Sequence, residues 1–166
     1  MGTCAEKIVQ KLGITREEQD EYASMSYERA RQAWSQGSFT EVSPVVVDGK
    51  TVLAVDEEIE NMPEDFSKVR ALFDKPEVAS ITAGNTSKLS DGACAVLVVS
   101  GEAMQKLSLK PIAKIIGHAD AATESYNFTE AVNFAVEKAL DKYNLSAEQI
   151  DHWEVNEGDI RRQNVY

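Results

Sequence analysis

The stretch Ile81-Thr82-Ala83-Gly84-Asn85-Thr86-Ser87-Lys88-Leu89-Ser90-Asp91-Gly92-Ala93-Cys94-Ala95-Val96-Leu97-Val98-Val99 has two parts of opposite character. Its first dozen residues are mostly small and polar, and Ala93 to Val99 is an almost unbroken apolar run. That run is too short for a membrane helix and predicts a strand buried on both faces. The same theme recurs downstream. Gly101 to Leu107 predicts a short helix and Ile112 to Ile116 a second buried strand. Asn127 and Glu130 read as a capping box opening a helix to Tyr143, with Val132, Ala135, Val136, Ala139, Leu140 and Tyr143 on its apolar face. Ser146 to Gln149 caps a turn, and Ile150 to Val155 reads as a third strand. Strand, helix, strand, helix, strand is the order of a layered α/β sheet.

Upstream the chain is richer in helix. Thr3 to Leu12 predicts a short helix closed by Gly13, with Ala5, Ile8, Val9 and Leu12 on one face. Thr15 and Glu18 form a capping box for a longer helix that runs to about Gln36 and stops at Gly37. Its apolar stripe is Tyr22, Ala23, Tyr27, Ala30, Ala33 and Trp34. Val42 to Val47 and Thr51 to Val55 flank Asp48-Gly49-Lys50, a hairpin signal, and Pro44 places the first strand at a sheet edge. Asp56 to Asp65 reads as an acidic loop, and a short amphipathic stretch from Asp65 ends near Asp74.

The whole chain has 166 residues, 17 basic against 28 acidic, and a net charge of −11. That balance argues against a nucleic-acid surface, which must be basic. It leaves room for a small anion held by a local basic patch. No apolar stretch reaches the roughly 20 residues of a membrane span, and Glu6 and Lys7 interrupt what would be the core of a signal peptide. Cys4 and Cys94 fit no zinc or CxxC spacing and read as reduced thiols of an intracellular protein.

Groups able to do chemistry are scarce. His118 and His152 sit at strand ends without a partner spacing of known mechanical meaning and read as structural. There is no P-loop or GxGxxG pattern. Ala83 to Ser87 is either a plain turn or a place where a ligand lies close to backbone, with carbonyls for a cation and a hydroxyl for an amide. Asn156, at the end of a strand, is either a turn residue or a donor to an oxyanion or water.

Both features fit one family. Met1-Gly2-Thr3-Cys4-Ala5-Glu6 resembles an HMGxxAE motif beginning at its Met, and residues 83–93 resemble AGNAS-x-LNDGA. Trp153-Glu154-Val155-Asn156-Glu157 resembles EVNEAF. Tyr22 to Trp34, Asp65 to Val69 and Ala119 to Ala122 fit between them. By these motifs the chain resembles the thiolases, most of all their mitochondrial acetoacetyl-CoA branch, over residues 1 to about 157.

The resemblance implies a partial thiolase-like layered α/β fold with a helix-rich loop domain. It assigns 1–82 to the loop domain, 83–110 to the last part of the N-terminal core, 111–157 to the start of the C-terminal core and 158–166 to a divergent tail. It implies acetyl-CoA C-acetyltransferase chemistry, the reversible Claisen condensation and thiolysis of acetoacetyl-CoA, in fatty acid and ketone body metabolism. The substrates are CoA thioesters, the family is homo-oligomeric, and no nucleic acid or membrane partner is expected. The location implied is mitochondrial, without a transit peptide in this chain, and otherwise cytoplasmic.

Residue by residue, Asn156 matches the asparagine that positions an oxyanion-hole water. Ser87 matches a contact to the pantetheine amide of CoA, Tyr27 a residue shared by CoA and a potassium site, and Lys68 a basic contact near the nucleotide. The carbonyls of Ala83, Gly84 and Thr86 match the other potassium positions. The family arginine beside Lys68 has no counterpart, since Pro63 and Glu64 stand near its place. Cys4 and Cys94 match neither catalytic cysteine. The resemblance puts the nucleophile ahead of Met1, and the GHP histidine and CxGGG cysteine past Asn156, where Gly158-Asp159 replaces Ala-Phe. The chain alone is therefore expected to be inactive and poorly soluble. Two other readings stand beside this one: a non-catalytic CoA-binding or partner-binding module, and an incomplete gene product.

Overall fold

The first helix and the turns near Ile59, Phe66 and Ile81 supply a small apolar core in the first part of the chain. The computed structural model describes residues 2–73 and 79–156. Contacts divide the described residues into two compact units, one of residues up to 87 together with 154–156 and one of residues 88–153.

In the first unit, α1 spans Gly2–Leu12 and buries Gly2, Ala5, Glu6, Ile8 and Val9. Leu12, expected on that face, is half exposed at the last residue of the helix. Gly13 at φ 66° ends it. The Ile14 amide returns to the Val9 carbonyl and the Gly13 amide to Gln10, which satisfies carbonyls the last turn would leave open. Helix α2, Arg16–Ser35, starts at the capping box expected from Thr15 and Glu18. It stops the same way, with Gly37 at φ 67° and the Ser38 amide bonded to Ala33 O.

Strands β1 (Val45–Val47) and β2 (Lys50–Leu53) form an antiparallel hairpin. It is shorter than the sequence suggested, and its turn is Asp48-Gly49, with Lys50 already paired to Val47. Both turn residues have positive φ, as a tight two-residue connection requires. The acidic stretch after it is not wholly loop, for Glu57–Ile59 makes one 3-10 turn capped by Asp56. A second 3-10 turn, Phe66–Lys68, is capped by Asp65. Ala71 bridges Thr82, and the Leu72 amide donates to Ile81 O. The core of the unit is Ala5, Ile8, Val9, Ile14, Ile59, Phe66 and Ile81.

In the second unit, α3 spans Gly101–Lys106, capped by Ser100, and α4 spans Ala131–Tyr143. The capping box expected at Asn127 and Glu130 does not form. A 3-10 stretch, Ser125–Glu130, precedes α4 instead, with a kink at Asn127, and the N-cap Glu130 makes no side-chain cap bond. The capped turn at Ser146 and Gln149 is present. Lys138 Nζ donates to Asp120 O at 2.9 Å, Lys142 Nζ to His118 O at 3.3 Å, and the His118 amide to Tyr143 Oη at 3.3 Å. These bonds hold α4 on the segment 117–120. Gly117 allows this approach, since a Cβ there would overlap the Tyr143 ring.

The three strands expected at Ala93–Val99, Ile112–Ile116 and Ile150–Val155 do not form among the described residues. A strand is held by ladder bonds to a neighbour, and the one sheet among the described residues is the hairpin. The apolar side chains meant for burial are correspondingly exposed, Leu97 at 81% and Ile112 at 104%. Helices carry their hydrogen bonds within themselves, so α3 and α4 form where expected. The expected end at Asp74 and the tail from Gly158 lie outside the described residues, as do Met1 and Glu157 of the two flanking motifs.

Candidate functional site

The loop 80–87 gets its shape from two carboxylates that enter it from the helices. Glu6, completely buried, accepts the Ser80 amide at 2.9 Å, the Ile81 amide at 2.8 Å and the Ser80 hydroxyl at 2.9 Å. A buried carboxylate is tolerated only when donors surround it in this way. From α2, Asp20 accepts Asn85 Nδ2 at 2.8 Å and is paired with Arg16 Nε at 2.6 Å. Thr82 closes the turn, its hydroxyl oxygen accepting the amides of Gly84 and Asn85.

Phe66 is the wall against which the candidate residues gather. Its carbonyl accepts Arg16 Nη2 at 2.7 Å, and the same guanidinium nitrogen reaches Val69 O at 2.9 Å. Tyr27 lies edge-on to the Phe66 ring, centroids 6.1 Å apart. Gly84 comes so close that a Cβ would sit 3.0 Å from Phe66 Cδ1 and 3.2 Å from Pro63 Cγ. Tyr27 and the Gly84 turn, far apart in sequence, therefore share one aromatic neighbour. Burial raises the Tyr27 pKa first, the Glu58 and Asp56 carboxylates raise it further, and Arg31 opposes them, so the phenol stays protonated. Arg31 also ties the acidic turn to α2, donating from Nε to Ile59 O at 3.0 Å and from Nη1 to Met62 Sδ.

The other candidates are placed as follows. Ser87 and Ala83 are exposed and Thr86 is half-buried. Lys68 lies on the 3-10 turn that begins at Phe66, largely exposed and paired with Asp65 at 3.0 Å. The Ser67 hydroxyl first, then Lys68, lower the Asp65 pKa. Asn156 is exposed, and the Phe66 contacts that join Tyr27 and Gly84 do not include it. Cys4 is half-buried, Cys94 is exposed, and both are free thiols.

A phenol oxygen and three main-chain carbonyls form an uncharged set of hard donors, which fits a monovalent cation better than a transition metal. The absence of a side chain at Gly84 lets the turn pack close to Phe66 and Pro63. Among the described residues no three His, Cys, Asp or Glu side chains group as metal ligands.

Sequence reading missed Glu6, Arg16, Asp20, Thr82 and Asn85 as shapers of this loop. One signal for Glu6 was present: it is a charge set among Ala5, Ile8 and Val9 on the apolar face of a helix. Nothing local marks Arg16 or Asp20, whose partners lie 50 and 65 residues away.

Comparison with known proteins identifies the family and the fold. The family model described as "Thiolase, N-terminal domain" matches residues 1–102. The chain belongs to the thiolase family. A mitochondrial acetyl-CoA acetyltransferase of Rattus norvegicus is 45% identical over 163 residues, covering 95% of this chain and 38% of the relative. A cytosolic acetyl-CoA acetyltransferase of Gibberella zeae is 41% identical, over 95% of this chain and 41% of its own length. Among solved structures, the Acat5 thiolase of Ascaris suum in complex with coenzyme A matches with a TM-score of 0.87 and 42% identity, over 94% of this chain and 41% of that one. The chain thus has a partial α/β thiolase fold and spans about two-fifths of the length of these relatives.

Proposed function

We propose that this chain is the CoA-holding part of an acetyl-CoA C-acetyltransferase, and that residues 82–87 with Tyr27 and Lys68 form its ligand contacts. The observation that carries this reading is the meeting of Tyr27 and the Gly84 turn on Phe66, in a chain similar to a thiolase that was solved with coenzyme A. In this reading the Ser87 hydroxyl hydrogen-bonds the pantetheine amide, and Lys68 leaves Asp65 to meet a phosphate of the nucleotide. Potassium would be held by Tyr27 and by the carbonyls of Ala83, Gly84 and Thr86, where it supplies positive charge and stiffens the turn. Asn156 would hold the water that donates to a developing oxyanion. Residues 1–82 serve as loop domain, 83–110 and 111–157 as parts of the two cores, and the setting is mitochondrial with CoA thioesters as partners.

Thiolysis needs an activated thiolate to take the acyl group and a base to manage the α-proton. Among the 166 residues of the sequence, Cys4 and Cys94 match neither cysteine motif, and no GHP histidine occurs. The polypeptide of this sequence is expected to turn over no acetoacetyl-CoA by itself. A spectrophotometric thiolysis assay checks this, and any rate proportional to the concentration of the pure chain contradicts it. The second reading is a CoA-binding module without catalysis. Calorimetry with CoA tests the binding itself. Saturable heat is expected, with Ser87→Ala weakening it about tenfold through loss of one hydrogen bond. No heat from the wild-type chain removes the binding reading.

A further inference from the structure

The side-chain amide of Asn85 makes three hydrogen bonds, with both of its donors used. Nδ2 donates to Asp20 Oδ1 at 2.8 Å and to the Ser80 carbonyl at 3.1 Å, while Oδ1 accepts the Thr82 amide at 2.7 Å. The opposite orientation would set a carbonyl oxygen against a carboxylate and another carbonyl, so only one is stable. Asp20, only 9% exposed, is in turn fixed by Arg16. Asp20 and Tyr27 both lie on α2, seven positions apart, which is two turns along nearly the same helix face. The helix that presents the Tyr27 ring to Phe66 therefore also clamps the far side of the Gly84 turn.

We propose that Asp20 and Asn85 are a positioning pair for the CoA-contacting loop. They set the register of residues 82–87 against α2, and so of Ser87 and the turn carbonyls against Tyr27, before any thioester arrives. The inference rests on the reading of this loop as the CoA contact, and it deepens that reading by naming two residues outside the expected contacts. Preorganisation of this kind lowers the cost of ordering a loop on binding.

The test uses the 166-residue chain with two readouts, amide hydrogen exchange and CoA calorimetry. Asn85→Asp sets a second carboxylate against Asp20. Exchange at the Thr82 and Gly84 amides is expected to quicken about thirtyfold, as for loss of a charge-assisted bond. Exchange along the middle of α2 is expected to stay as it was. The exchanged pair Asp20→Asn with Asn85→Asp restores one donor facing one carboxylate, and should recover about tenfold of that protection. CoA affinity should fall and recover in step. Asn85→Ser, which adds no charge, should quicken the same two amides about tenfold, and it decides the question if Asn85→Asp does not fold. Unchanged exchange, quickening spread equally along α2, or a swap no better than Asn85→Asp overturns the proposal. So does faster exchange with unchanged CoA affinity. If the wild-type chain binds no CoA, the binding reading falls, and the exchange data judge the register separately.

Discussion

Replacing Glu6 with alanine is expected to destabilise the first unit by about 4 kcal/mol, since buried donors left without an acceptor cost about 1–3 kcal/mol each and do not add fully. Three donors lose their partner at once: the amides of Ser80 and Ile81 and the Ser80 hydroxyl. Because the side chain is 0% exposed, water cannot easily replace it without opening the packing of α1. Glu6→Gln should cost about half as much, since one acceptor oxygen remains while the new NH2 group meets donors. Urea denaturation followed by circular dichroism measures both. A midpoint for Glu6→Ala equal to that of the wild type would mean that the loop finds other acceptors and that Glu6 is not its anchor.

Ile81→Ala is expected to cost about 3 kcal/mol, within the range for large-to-small changes in a packed core. Ile81 is 0% exposed and is the apolar residue next to the turn, with its own carbonyl engaged by the Leu72 amide. The cavity would open at the residue that directly precedes the 82–87 loop. Ile81→Val, which removes one methylene, should cost about 1 kcal/mol. Thermal melting of the two variants distinguishes a packed site from a yielding one. Equal losses for Val and Ala would show that the site closes around the gap.

The helices were legible because their signals are local. The Thr15 and Glu18 box, and the glycines that end α1 and α2, act within one turn of the chain. The apolar runs at 93–99 and 112–116 carried the composition of buried strands, but composition describes an environment the described residues do not provide. The Asn127 box failed for a related reason: its residues fit a cap, yet the backbone there continues from a 3-10 stretch. At the candidate site, motif resemblance suggested the contact residues, while of the residues that shape the loop only Glu6 carried a local signal. Glu6, Asp20 and Asn85 act across 65 to 75 positions, and such pairings appear only once the chain is folded.

One ring serves Tyr27, Gly84 and the turn that carries Lys68. Substitutions at these places are therefore not independent experiments. A side chain added at 84 presses on Phe66, and Phe66 passes the displacement to Tyr27 through their ring contact. Gly84→Ala and Tyr27→Ala should combine non-additively in stability, by about 0.5 kcal/mol or more, as residues with a shared partner do. The sequence near 84 thus limits what can be accepted near 27, and a change at either place is best compensated at 66.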